Sequence, residues 1–419
     1  MQITSVVPFF VLMTIFIGLG YLLCRVLPPY NAEVRQLPAK RGYYVELESM
    51  RGILALAVVV HHALVWYFLM YNHTSYITGP NAVFYSQLGT APVTFFFFIT
   101  GFLFWSKLIS DPKPPPSAFL VARLRRLAPA YLASAALMFT LVALLTHFKL
   151  DGSPVAVARD AVRMILGRTA ELNGLARAPW LWAVTWTLQF EFLFYLLVPF
   201  LGWFAQTLWK SLLFVGGCNV LYAGSFLLAR YNSHLPGFFL IQALLRFLSF
   251  TFCIGFIAAH LVKIQAIRGW ARSVFAAPLA LALILATVCL LPAEYGSLES
   301  LTLAIPFIVI ACGCDFWGAL RQRALLFLGQ ISYSVYLIHC IVYGAVLIPL
   351  SGVLHSELKN ASVYWTVVFL TGPVIIGVAT LWNRSFELPF MTKRSTGSGM
   401  RPIRPELVGL PYAKVSGSR

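Results

Sequence analysis

Charged residues are scarce in this chain. Asp, Glu, Lys and Arg make up 11% of its 419 residues, against about 25% in an ordinary soluble domain. Only 14 of them are acidic. A chain with so little charge cannot cover its surface for water, so a soluble enzyme is excluded. Cysteine is equally uninformative as a framework. The seven cysteines (Cys24, Cys218, Cys253, Cys289, Cys312, Cys314, Cys340) lie in or beside apolar runs, and none forms a spaced CxxC…CxxC set. Cys312-Gly-Cys314 is too short for a zinc knuckle, so these residues read as small core residues without disulfide or metal. No G-x-S-x-G nucleophile elbow occurs. His147 to Gly152 matches an HxxxDG pattern, but it sits at the outer end of an apolar run in a chain with no sheet-forming segments. There is no repeat of solenoid period.

Hydrophobic residues are what the chain has in excess, at 59% with 15% aromatic and a mean hydropathy of +0.80. The fold class that follows is all-α, a polytopic transmembrane helical bundle. Runs long enough to span about 30 Å of hydrocarbon lie at about 6–24, 52–70, 92–108, 127–147, 181–203, 211–229, 238–262, 274–292, 298–316, 326–350 and 362–383, eleven in all. The first lacks a basic stretch before it and a small-residue cleavage site after it, so it reads as a span and not a signal peptide. The net charge of +17 would suit nucleic acid, but the basic residues punctuate the apolar runs as loop charges do, so no nucleic-acid partner is expected. With the 25–51 linker in the cytoplasm, 23 of the 31 Lys and Arg fall on the cytoplasmic side and seven opposite. The N-terminus is then outside and the C-terminus inside. Three parts follow: residues 1–42, an added N-terminal helix and basic linker; 43–383, the membrane domain; and 384–419, a short polar cytoplasmic tail with no room for a second domain. The polar stretch 148–180, with Arg159, Arg163 and Arg168, allows a helix lying on the surface.

Ionisable groups inside the spans are costly and are functional candidates by default. Arg51 opens the second run, and His61 and His62 lie deep within it. Eleven residues of helix return to within about 20° of the same face and rise about 16 Å. Arg51 would therefore stand at one membrane surface with His62 on its stripe near the midplane, and His61 about 80° off it. An interfacial anchor and a packed histidine account for this helix equally well. Arg123, Arg125 and Arg126 at the start of the fourth run suit a phosphate-rich ligand or serve as ordinary positive-inside anchors. Glu191, about 14 Å deep by the same rise, either orients the His62 imidazole, acts on an acceptor hydroxyl, or pairs with Arg246 at similar depth. Residues 328–339, LGQISYSVYLIH, place Tyr333, Tyr336 and His339 on a polar ladder, which could equally be hydroxyls holding helices together.

Taken together, these motifs resemble the acyltransferase-3 family of integral membrane acyltransferases. Arg51 to His62 matches its arginine, ten residues, histidine signature. FFFFITGFL resembles FFxxSGFL with Thr100 for serine. Phe119 to Tyr131 resembles FxxRRxxRIxPxY with Ala122 for the first arginine. WTLQFEFLFYLLVP resembles WSLxxExxFYLxxP with Thr187 for serine and Glu191 in register, and LGQISYSVYLIH is close to LGxISYSLYLxH. The resemblance covers about residues 43–383 in the family's order. It implies an O-acyltransferase of a bacterial inner (plasma) membrane, moving an acyl group, commonly acetyl, from acyl-CoA to a hydroxyl of a glycan or lipid-linked glycan. Acyl-CoA would be a co-substrate, with no permanently bound cofactor and no metal. The phosphates would dock on Arg51, Arg123, Arg125 and Arg126. His62 would be general base or acyl carrier, supported by Glu191, and Tyr195, Arg246, Tyr333, Tyr336 and His339 would line the path. Some members carry a fused extracytoplasmic hydrolase-like domain. None is present here, so the chain is expected to act alone or with a separate extracytoplasmic transferase. One rival reading is a transporter using the same buried groups as a proton or substrate path; its repeated halves or broken helices are not evident. A second is a structural or assembly subunit with no activity.

Overall fold

In the computed structural model, residues 2–27, 30, 44–167, 171–176, 178–232, 238–296 and 298–392 are described. Most of the linker between the first two spans, Arg168, and the tail beyond residue 392 lie outside the described residues. Helices dominate, and the only strand-like feature among the described residues is an isolated bridge between Leu172 and Leu175.

Each of the eleven apolar runs is built as helix. We number the helices α1 (Val7–Val26), α2 (Val45–Tyr71), α3 (Ala82–Ser110), α4 (Pro116–Leu145), α5 (Pro154–Ile165), α6 (Trp186–Leu197), α7 (Leu208–Asn232), α8 (Phe238–Phe247), α9 (Cys253–Leu261), α10 (Gln265–Ala271), α11 (Ala276–Leu290), α12 (Leu298–Ala311), α13 (Arg323–Gln330), α14 (Ser332–Val353) and α15 (Ala361–Trp382). Nine helices among the described residues are long and apolar enough to cross a membrane. The α10–α11 pair, bent by 73°, makes a tenth, and the shorter α12 occupies the remaining apolar run. The chain is an integral membrane protein with a polytopic helical bundle. The amphipathic α5 lies in the polar stretch between α4 and α6. The Ser153 side chain caps it by accepting from the Ala156 amide at 3.2 Å, and Met164 is its one buried residue.

The helix with Arg51 and the two histidines stands at the centre. Residues Val58, Val59, Val60, Ala63 and Leu64 of α2 are buried. Glu46 and Glu48 occupy its first turn, where carboxylates favour the positive end of the helix. Close approaches set its neighbours. A Cβ on Gly52 would lie 2.7 Å from the backbone nitrogen of Gly329, so α2 and α13 touch backbone to backbone. Similarly, a Cβ on Gly101 of α3 would lie 2.5 Å from the Phe252 carbonyl oxygen, and one on Gly255 of α9 would strike the Phe98 carbonyl. The added helix α1 packs on α13 and α15, with Gly20 against Leu328 and Phe16 against Gly372.

Several boundaries differ from the sequence reading. Helix α4 begins at Pro116, eleven residues before the expected 127, so Arg123, Arg125 and Arg126 lie within a helix. Helix α3 begins at Ala82, ten residues before the expected Pro92. Its first turns carry uncharged polar residues that read as loop, but Gln87 is fully buried and donates to the Leu291 and Pro292 carbonyls at 3.1 and 3.0 Å. With the amide nitrogen of Gln87 and these two carbonyls paired, the helix continues inside the bundle. The expected run 326–350 is two helices, broken at Ile331 between α13 and α14. The last span does not stop near 383. It continues through a π-helical turn, Asn383–Glu387, and Asn383 and Glu387 are buried. The Ser334 hydroxyl donates to the Glu387 carboxylate, and Asn383 Nδ2 donates to the Gln330 carbonyl at 3.2 Å. These bonds tie the end of the last span to the junction of α13 and α14.

Candidate functional site

A cavity of about 210 Å³ opens between α2, α3, α4, α6 and α14, and basic residues from three helices line it: Arg51, Lys107, Arg123 and Arg126. Helix periodicity selects them. Arg123 and Arg126 are three apart and share a face, whereas Arg125 is turned away. Arg125 is exposed and does not line the cavity. The sequence had grouped it with the other two; the rotation of α4 separates it. Lys107 was missed. It lies seven residues, about two turns, after Thr100 on α3, and that spacing was the available signal. The Arg123 guanidinium sits 5.1 Å from the centre of the Phe104 ring and 5.9 Å from that of Phe119, a cation–π contact that holds the charge in place. Arg51 is 3.5 Å from the Glu48 carboxylate.

Further along the same cavity is Glu191, flanked by Thr100, Thr187, Tyr195, Tyr333 and Tyr336. Thr100 donates to Glu191 Oε1 at 3.0 Å, and Tyr195, one turn on, donates to Oε2 at 2.9 Å. Arg51 and Arg126 are near enough for their charges to act on this carboxylate. An ion pair of Glu191 with Arg246 does not occur among the described residues. Arg246 instead packs beside Gly296, in the turn after α11. Nor does Glu191 bond His62; its two oxygens are taken by Thr100 and Tyr195. The two threonines that stand where the family pattern has serine both use their hydroxyls, Thr100 on Glu191 and Thr187 on the Tyr336 hydroxyl at 2.9 Å.

Helix α14 carries Tyr333, Tyr336 and His339 at three-residue spacing, each about 4.5 Å further along the axis. Tyr333 donates to the Leu127 carbonyl at 3.1 Å, at the arginine end. Tyr336 donates to the Val184 carbonyl at 3.1 Å and closes the inner end of the cavity with Thr187. Behind it the rings of Tyr336 and His339 are 6.2 Å apart, and those of His339 and His62 are 5.0 Å apart. His339 Nε2 lies 3.2 Å from His62 Nδ1. The same His62 nitrogen is 3.1 Å from the Val58 carbonyl, and His339 Nδ1 is 2.9 Å from that of Val335. His61 points elsewhere, toward α3. Its Nδ1 is 2.8 Å from the Tyr85 carbonyl, and its ring fills the space over Gly89.

The ligating atoms of His62, His339 and Cys340 lie within 4.8 Å of one another, the one such trio among the described residues. A soft ion accepts this ligand set, but it would have to displace the hydrogen bond between the two imidazoles. The pairing of the two histidines was not legible in the sequence, because nothing in residues 61–62 or 328–339 fixes which helices are neighbours.

The family model for an acyltransferase domain, of the acyltransferase-3 type, matches residues 44–382. No curated protein and no solved structure matches the chain.

Proposed function

Because the chain belongs to the acyltransferase-3 family of membrane acyltransferases, we propose that it transfers a short acyl group, acetyl first among candidates, from acyl-CoA to a hydroxyl of a cell-surface glycan or lipid-linked glycan. The observation that carries this is the single cavity joining four basic side chains to Glu191 and the tyrosines. Its volume suits a narrow chain. Sites that bury a whole drug-sized ligand run to about 300–1,000 Å³, so the slender acyl-pantetheine arm fits inside while the nucleotide stays out. The phosphates then meet Arg51, Lys107, Arg123 and Arg126, where charge-assisted hydrogen bonds are strongest. By the positive-inside argument this mouth is cytoplasmic, in a bacterial inner (plasma) membrane.

The thioester end lies against Tyr336 and reaches His62 when that side chain moves aside. The His62 imidazole takes the proton from the acceptor hydroxyl as its oxygen attacks the thioester carbonyl. The carbon–sulfur bond breaks, and the departing CoA sulfur takes the proton from the imidazolium, leaving ester and free thiol. Glu191, held by Thr100 and Tyr195, balances the positive charge of the mouth and positions the arm. An extracytoplasmic transferase that receives the acyl group is compatible with this scheme.

The test is the full-length protein, purified in detergent and supplied with acetyl-CoA and longer acyl-CoAs. Free thiol should appear, faster with a hydroxyl acceptor and not at all in His62→Ala. Absence of both binding and thiol release across the acyl-CoA series would remove the proposal. Flux of a substrate across proteoliposomes without CoA release would favour a transporter.

A further inference from the structure

We propose that His339 is a positioning residue that fixes the tautomer of His62, so that Nε2 of His62 is the reacting nitrogen. The inference rests on the acyl-transfer reading for its kinetic consequence, but its geometry stands independently.

A backbone carbonyl can only accept. His339 Nδ1 faces the Val335 carbonyl at 2.9 Å, so that nitrogen carries a hydrogen. In the neutral ring Nε2 of His339 is then an acceptor. It faces His62 Nδ1 at 3.2 Å, and the same His62 nitrogen faces the Val58 carbonyl at 3.1 Å. A lone pair on His62 Nδ1 would face the carbonyl lone pairs of Val58. A hydrogen there is shared by two acceptors instead. The alternatives fail. If His339 were doubly protonated, its Nε2 hydrogen would require a bare Nδ1 on His62, and the Val58 contact would become repulsive. If both rings were charged, two hydrogens would collide in the 3.2 Å gap. Nδ1–H on both rings, with His62 donating to His339 and His339 donating to Val335, satisfies all three contacts; a second hydrogen on His62 Nε2 would leave those contacts intact but would place a charge in hydrocarbon, so the resting ring is neutral.

That assignment leaves the lone pair of His62 on Nε2, the nitrogen that can accept a proton. In the familiar serine-protease arrangement a carboxylate holds the base by its Nδ1 hydrogen. Here Glu191, the carboxylate that sequence spacing offered for the task, is engaged by Thr100 and Tyr195, and a neutral imidazole takes the place. His339 is fully buried, and its bond to Val335 on its own helix keeps its ring from turning over. A neutral partner fixes orientation without placing a second charge beside the base, which suits a site inside hydrocarbon, where an added charge is expensive.

The experiment has two arms on the full-length protein. In the first, ¹⁵N-histidine-labelled protein in lipid bilayers is read by solid-state NMR, with His62 assigned by its loss in His62→Gln. The expected signature is a His62 with a protonated Nδ1 and an unprotonated Nε2. In the second, acyl-CoA turnover is compared in His339→Gln and His339→Leu. Glutamine places an accepting oxygen near the position of Nε2; leucine places none. The leucine variant should lose about 10²-fold in kcat, within the range of general-base contributions, with KM for acyl-CoA changed less than about twofold. The glutamine variant should recover about tenfold of that loss. A His62 protonated at Nε2 overturns the proposal, and so do a leucine variant that turns over like wild type and equal losses in both variants. If wild type itself releases no CoA, the acyl-transfer reading fails while the NMR arm still decides the tautomer.

Discussion

Arg125 and Arg126 are adjacent and chemically identical, and only the rotation of α4 distinguishes them. Arg126 lines the cavity; Arg125 is exposed. Arg126→Ala should weaken acyl-CoA binding about tenfold or more, since a hydrogen bond to a charged group contributes about 1.5–3 kcal/mol. Arg125→Ala should leave affinity unchanged. Calorimetric titration with acyl-CoA checks both, and equal effects would return the cluster to plain topology anchoring. The histidine neighbours divide in the same way. His62 meets His339, and His61 meets the Tyr85 carbonyl on α3. His61→Gln places its amide near the Nε2 position and gives up the Nδ1 contact with that carbonyl, yet it should retain activity with modest loss, because His61 faces α3 and does not line the cavity. His62→Ala should abolish transfer yet still bind acyl-CoA, because the arginine mouth is about 16 Å away along the helix. A dead His61→Gln beside an active His62→Ala would reverse the assignment. These residue types and their spacing were legible in the sequence. Which of two neighbours faces the site was legible only where a second residue on the same helix, Arg51 for His62, marked the face.

At the scale of elements, the glycines of the motifs are packing devices. Gly101 follows Thr100, whose hydroxyl holds Glu191, and lets α9 approach within backbone contact. Gly101→Ala places a methyl 2.5 Å from the Phe252 carbonyl oxygen, which is rigid backbone. Overpacking of this kind costs about 1–3 kcal/mol, so the variant should unfold at lower temperature in detergent. It should also lose activity, because Thr100 shifts with its helix. A thermal-shift assay with parallel turnover measures both, and an unchanged melting point would mean that the helices part without cost. The early start of α3 was not legible. Uncharged polar residues look like loop until their partners are known, and those of Gln87 lie in the turn after α11, about two hundred residues away. Glu387 escaped notice similarly, because its partner Ser334 belongs to another helix.

At the scale of the whole molecule, the helix ends fix a sidedness. Lys107 at the end of α3, Arg51 near the start of α2 and Arg123 and Arg126 near the start of α4 share one cavity, so these three helix ends lie on one side. From the excess of Lys and Arg, 23 against seven, that side is expected to be cytoplasmic. A reporter fused after Arg419 should be active inside the cell, and one fused ahead of Met1 outside. A C-terminal reporter active only outside would invert the protein and place the arginine mouth away from the cytoplasmic CoA pool.

The sequence by itself determined the class of molecule, because scarcity of charge and eleven apolar runs leave one solvent for the surface, and backbone groups in hydrocarbon must be satisfied within helices. It also determined the family, through five motifs in order, and the candidate residues, because an ionisable group in a span is conspicuous by its cost. The tertiary structure decided the partnerships. Glu191 went to Thr100 and Tyr195, His62 to His339, and Arg246 to the turn at Gly296. Depth along a helix follows from counting residues, since the rise is constant. Neighbours across helices depend on which helices pack together and at what rotation. That is fixed by close contacts such as Gly52 on Gly329, between residues nearly three hundred positions apart, which no local pattern encodes.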